Sequence, residues 1–273
     1  MKLFLFLMLF VMSMSNCFAE EESCEPKESN ILILYYSQTG VTKKAAEGLQ
    51  KLLNADIEAI EATKPYDGTF EETIGRCLEE KKKGELPHIR PIKSDLKKYD
   101  IIFLGYPIWF GTYATPMITL VKTFKFAGKQ IVPFCTFGSG GLVESVQHLK
   151  RDLPMADIKE GFGIREARIS RVEEELDRFL SLNGYIAGEY EVYPDYSEQK
   201  PVTKADTEIF NAACSGYKFP LGTPITVGSR KTDKGIDYLF YATGKTPDGK
   251  DVETKIYVTV EKNSKPEFTL VVR

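Results

Sequence analysis

Three times along this 273-residue chain an apolar, β-favouring run breaks into a small-residue, glycine-bearing loop and then into an amphipathic helix. That repeated unit constrains the fold more than any other feature. The first unit is residues 31–42, ILILYYSQTGVT. ILIL is too short to span a membrane and lacks polar alternation, so it reads as a strand covered on both faces, as central strands of parallel sheets are. The helix after it carries Ala45, Leu49, Leu52 and Leu53 on one stripe. The second unit is YDIIFLGYP (99–107) continuing as IWFGTYATP, with Thr115 as expected helix N-cap, Pro116 in the first turn, and Met117, Leu120, Val121 and Phe124 as the helix stripe. The third is QIVPFC (130–135), then TFGSGG, then a helix with Leu142, Val146 and Leu149 on its apolar face. A strand at 55–62 with an exposed helix at 70–85, and a strand at 158–168 before Ile169, Val172, Leu176, Phe179 and Leu180, complete a βα alternation. Such alternation predicts an α/β domain: a five-stranded parallel sheet, doubly wound, with a helix after each strand.

The three loops leave one rim of that sheet, and their residues state what they suit. In the first, Gly40 permits tight turning, Thr39 and Thr42 bring hydroxyls, and the opening N–H groups of the helix have no intrahelical partner. A phosphate there meets donors and a favourable helix dipole. Neither GxxxxGK[ST] nor GxGxxG is present, which excludes the P-loop and the dinucleotide fingerprint. The second loop presents Ile108, Trp109 and Phe110 between Pro107 and Gly111. Trp109 is the chain's only tryptophan, placed where open α/β sheets bind ligands and suited to stack on a flat heterocycle. In the third, Gly138, Gly140 and Gly141, with Phe137 and Ser139, let the backbone approach a ligand closely.

SQTGVT after the first strand, GYPIWFGTYATP after the third and TFGSGG after the fourth together resemble the loops of the flavodoxin-like family, and more narrowly of a short-chain bacterial branch whose second loop reads GYPxWxG. The resemblance covers about residues 30–183. It implies FMN as cofactor: Ser37, Gln38, Thr39, Gly40, Val41 and Thr42 at its phosphate, Pro107, Ile108, Trp109, Phe110 and Gly111 along the ring, and Phe137, Gly138, Ser139, Gly140 and Gly141 along the other edge. It further implies electron transfer or flavin-dependent reduction, with a redox partner protein or a small-molecule acceptor. No side-chain acid or base stands out as catalytic, so an oxidoreductase activity would rest on the flavin. An alternative reading keeps the fold as a binding module without flavin redox chemistry.

Residues 1–19 read separately. Lys2, the apolar run from Leu3 to Met12 and the small residue Ala19 before Glu20 predict a secretory signal peptide, hence a periplasmic or secreted protein. Cleavage before Cys17 instead would leave a lipid-anchored one, the sole route to membrane attachment. Removing the segment takes away Lys2 and no acid, moving the formal charge from −3 to −4. That value speaks against nucleic acid, which demands a basic face, and is milder than that of acidic electron carriers. Cys17, Cys24, Cys77, Cys135 and Cys214 show neither CxxC nor zinc spacing, and His88 and His148 are the only histidines, so no metal site is expected. Cys135 reads as a core thiol. Disulfide connectivity is open, Cys24–Cys214 being one pairing.

Residues 184–202, rich in Tyr, Gly and acids, read as a linker, and 203–273 as a small α+β domain. Thr203 and Asp206 cap its helix. Four strands follow, with turns at 233–235, 247–249 and 263–266. Ile236, Tyr238 and Phe240 alternate, as do Ile256, Val258 and Val260, which predicts a meander with one buried face. In topology alone it resembles cystatin-like folds.

Overall fold

The computed structural model describes residues 30–219, 221–245 and 250–273. The expected signal peptide, Cys17, Cys24 and the turn at 247–249 lie outside the described residues. The chain begins β1 (Ile31–Tyr35), α1 (Val41–Leu53), β2 (Asp56–Ala59), α2 (Phe70–Lys83), β3 (Ile101–Trp109), β4 (Thr112–Tyr113), α3 (Thr115–Thr123), β5 (Gln130–Phe137), α4 (Leu142–Asp152), β6 (Asp157–Ile158), β7 (Phe162–Arg165) and α5 (Val172–Leu182). The parallel sheet has the order β2-β1-β3-β5, with β6 and β7 both pairing parallel to β5. Side chains of a strand alternate between faces. Here both faces are covered, which is why ILIL shows no polar alternation. Ile33, Phe103, Val132 and Phe134 pack with Ala45, Ala46 and Leu49 of α1 and Leu176 and Leu180 of α5. Leu32, Leu34, Ile102, Leu104 and Ile131 pack with Cys77 of α2, Met117, Leu120 and Val121 of α3 and Leu149 of α4. Each such fully buried aliphatic side chain contributes about 1.5–3 kcal/mol relative to exposure.

Three local expectations are corrected. The second loop is a β-hairpin: β3 runs on through Trp109 and pairs antiparallel with β4, Ile108 opposite Tyr113 and Trp109 opposite Thr112. Two residues connect them, Phe110 and Gly111, both at positive φ (51° and 75°), as tight two-residue hairpin turns require. The N-cap of α3 is Ala114, not Thr115, which is already helical with Pro116 behind it. The strand expected over 158–168 is split into β6 and β7 and ends at Arg165, with a 3-10 turn at Glu166–Arg171. The break lies beside Pro133 of β5, which has no N–H to donate. Across it the register slips by one residue, from Ile131 opposite Ile158 to Phe134 opposite Phe162.

After α5 the chain crosses to a second body: β8 (Lys200–Pro201), α6 (Lys204–Cys214), β9 (Thr223–Lys231), β10 (Gly235–Lys245), β11 (Asp251–Glu261) and β12 (Glu267–Val272). Its antiparallel sheet, ordered β12-β11-β10-β9-β8, buries Val227, Phe240, Ile256, Val258 and Phe268 against Phe210 of α6. The Thr203–Asp206 capping box forms as expected. The connecting segment is held by side chains of both bodies. Tyr190 donates to Asp177, Arg178 lies 3.7 Å over the Tyr193 ring, Tyr193 donates to Asp233, and Arg230 lies 4.5 Å over Tyr196. Arg168 joins Glu175 (2.7 Å) to Glu267 (2.8 Å), Arg171 pairs with Glu261, and Lys234 pairs with Glu174.

Two outcomes follow from this packing. A Cβ at Gly105 would overlap the fully buried Phe134 ring, so Gly105→Ala lowers unfolding stability by about 1–3 kcal/mol, read as a lower urea midpoint at unchanged slope. At the seam, the hydrogen bond from Lys234 holds the Glu174 carboxyl below its ordinary pKa. Its contribution is therefore present above the usual glutamate range and lost as pH falls through the folded value. Thermal melts from about pH 5 to pH 3 should lose less in Glu174→Gln than in the wild type.

Candidate functional site

The strands β1, β3 and β5 end at one rim, and the strand order reverses between β1 and β3, where open α/β sheets form a crevice. In the loop after β1, the Ser37 hydroxyl accepts from the N–H groups of Gly40 (3.1 Å) and Lys43 (3.2 Å), folding the loop on itself. Gly40, at φ 88°, is the N-cap of α1 and carries no side chain to cover the first turn. Gln38 reaches away to the Tyr66 carbonyl (3.0 Å) and the Thr73 hydroxyl (2.8 Å), tying the loop to α2. Thr42 and Thr136 share a hydrogen bond between their buried hydroxyls at 2.7 Å. One bond engages one of the two protons, so the pair keeps a second O–H to donate.

Trp109 at the end of β3 is held edge-to-face by Tyr36 (5.7 Å between centroids) and Tyr66 (5.1 Å). Tyr66 is itself fixed. Its hydroxyl donates to Glu80 (2.6 Å) and meets the Thr115 hydroxyl (2.9 Å), and the Arg76 guanidinium lies 3.6 Å over its ring. Burial pushes the Tyr66 and Tyr36 phenols well above their ordinary range, so both stay neutral. Phe110 at the hairpin tip is 61% exposed in a backbone conformation that costs a non-glycine residue about 1–2 kcal/mol. In the loop after β5, Gly141 (φ 110°) is the N-cap of α4, again without a side-chain cap.

A cavity of about 580 Å³ lies among these loops, within the range of small-molecule sites. Of the expected site residues, Gln38, Thr39, Val41, Thr42, Pro107, Ile108, Trp109, Phe110, Gly111, Phe137, Gly138, Ser139, Gly140 and Gly141 line it. Ser37 and Gly40 do not; they shape the first loop from within. Gly140 serves a purpose not expected of it. A Cβ there would overlap the carbonyl oxygen of Val271, so the space it leaves is taken by β12 of the second domain. The cavity has further walls that sequence reasoning missed: Phe70, Thr136, Glu144 and Glu166 from the first domain, Tyr217, Phe219, Val271 and Arg273 from the second. Phe70, 65% exposed as the first residue of a mostly charged helix, carried a readable signal. The second-domain residues lie too far along the chain for any spacing to have linked them.

The arrangement offers hydroxyls, two helix N-termini whose N-cap residues are glycines, flat aromatic surface and a glycine-lined backbone. Among the described residues no cysteine lines it, and burial raises the thiol pKa of Cys77, Cys135 and Cys214, the last to about 11.

Residues 30–180 match the family model described as flavodoxin. Among solved structures, the chain is similar to a protein described as a flavoprotein from Bacteroides eggerthii, at 29% identity and TM-score 0.48, over 56% of this chain and 97% of that one. It is also similar to a flavoprotein from Lactobacillus acidophilus in complex with FMN, at 25% identity and TM-score 0.44, over 54% and 99%, and to oxidised flavodoxin 2 from Bacillus cereus, at 20% and 0.37, over 56% and 99%. No curated protein matches the chain.

The hydroxyl pair gives a direct check. Thr42→Val leaves the Thr136 hydroxyl buried without its partner, lowering stability by about 1–3 kcal/mol in urea unfolding, whereas Thr42→Ser keeps the bond and most of that stability.

Proposed function

The chain belongs to the flavodoxin family over residues 30–180, and from that premise we propose that it binds FMN in the rim cavity and serves in electron transfer or flavin-dependent reduction outside the cytoplasm. The observation that carries the reading is that loops from three separate strands line one cavity holding hydroxyl donors and the chain's only tryptophan. FMN joins a phosphate to a planar ring, so its site needs donors at one end and flat apolar walls at the other. Thr39, Val41 and Thr42 supply the first, reinforced by the N-terminal dipole of α1. Trp109 and Phe110 supply the second, while Phe137, Gly138 and Ser139 pass along another edge. When bound, the flavin supplies the redox chemistry, and the protein binds it, orients it and limits its contact with water. The electron partner is a protein or a small molecule. Location outside the cytoplasm rests on the leader-like sequence of residues 1–19.

A preparation of the protein should be yellow or turn so on adding FMN, and Trp109→Ala should weaken binding by about 1–3 kcal/mol in a flavin fluorescence titration. A folded protein that stays colourless and takes up no FMN would sink the reading. Mass spectrometry of the mature protein from its host should find residues 1–19 removed; retention of the apolar run would overturn export.

A further inference from the structure

The cavity is shared, and the sharing is built in. β12 runs beside the loop after β5: the Val271 N–H donates to the Ser139 carbonyl at 2.8 Å, and Gly140 and Val271 pair as a parallel bridge. The approach is backbone to backbone and requires glycine at position 140. Arg165, the last residue of β7, locks both sides. Its Nε donates to the Gly138 carbonyl (2.9 Å) and its Nη1 to the Phe268 carbonyl (2.7 Å), with the guanidinium 3.5 Å over the Phe268 ring. Burial lowers its pKa from the ordinary value, but an arginine stays charged, and these carbonyls accept its protons.

Beyond this clamp, the second domain brings Tyr217 and Phe219, rings 5.8 Å apart, to the cavity wall. Phe219 is 52% exposed. Phe110 and Phe70, from the hairpin and from α2, are exposed on the same cavity. Three exposed phenyl rings from distant segments meeting on one cavity mark a binding surface rather than stray surface residues.

We propose that the second domain is part of the flavin site: Tyr217 and Phe219 contact the bound cofactor, and Arg165 is the positioning residue that fixes the loop after β5 and β12 as one unit. The proposal rests on the FMN reading. It makes the flavin a ligand of both domains, bound most tightly when β12 is seated.

The test uses the full chain, with hydrogen–deuterium exchange followed with and without FMN. Slower exchange both in the loops at 37–42 and 137–141 and in the segments 215–219 and 267–273 is the expected result. Slowing in the loops alone overturns the proposal while leaving FMN binding intact. No slowing anywhere defeats the FMN reading and the proposal with it. Phe219→Ala, at an exposed position, should raise the Kd for FMN about fivefold. Arg165→Lys keeps the charge but loses the two-carbonyl fork. It should raise the Kd by a similar factor and move the visible band of bound FMN toward that of free flavin, with the circular dichroism unchanged. Wild-type affinity and spectrum in both variants would overturn the assignment.

Discussion

The structure depends on one constraint: all strands of a parallel sheet end at the same rim. β1, β3 and β5 pair in level register, Leu34 beside Leu104 and Leu104 beside Pro133, so their following loops emerge side by side. The level ending is maintained by burial on both faces. Sliding any of these strands by one residue would exchange the α1–α5 face for the α2–α3–α4 face and misplace every core side chain. Gly105 shows how tight the fit is, since the Phe134 ring occupies the space a side chain would need. The helix N-termini and the hydroxyls of Thr42 and Thr136 are thereby brought to one cavity, where local contacts such as the Thr42–Thr136 hydrogen bond fix them.

The second domain is attached by different physics. Its seam with the first is rich in arginine–carboxylate pairs, among them Arg168, whose side chain is 9% exposed and bonded to two glutamates. Burying such a charge is costly, and the pairs offset rather than exceed that cost. Their value is directional. A guanidinium held between two partners admits one relative placement of the domains, and that placement seats Val271 on Gly140. Orientation, more than adhesion, is what the charged seam provides.

Much of the first domain was legible because its signals are local. Apolar runs ending in glycine-bearing loops, and stripes such as Met117, Leu120 and Val121, report a buried element to its immediate neighbours. The capping box of Thr203 and Asp206 is local too. What escaped depends on distant partners. Nothing near Trp109 announces that β4 will return to pair with it, and the split of the last parallel strand reflects Pro133, more than twenty residues upstream. Gly140 is the sharpest case. A glycine in a rim loop means that something comes close, and the sequence does not say whether a ligand or the chain itself does so. Here it is the carbonyl of Val271. Tyr217 and Phe219 were illegible for the same reason, being brought to the cavity by that contact.

The aromatic residues of the cavity differ in how they are supported. Trp109 is fixed by two tyrosine edges, and Tyr66 in turn by a carboxylate, a hydroxyl and a guanidinium, so the indole is held in place by packing rather than by the hairpin alone. Phe110, one residue further, projects into solvent from a backbone that disfavours it. A turn with both central residues at positive φ ordinarily takes Asn or Asp with Gly, and a phenylalanine there sacrifices about 1–2 kcal/mol of local stability. The exposed ring adds nothing to the core, so under the proposed FMN reading its place at the mouth is accounted for by contact with the cofactor, beside the packed Trp109.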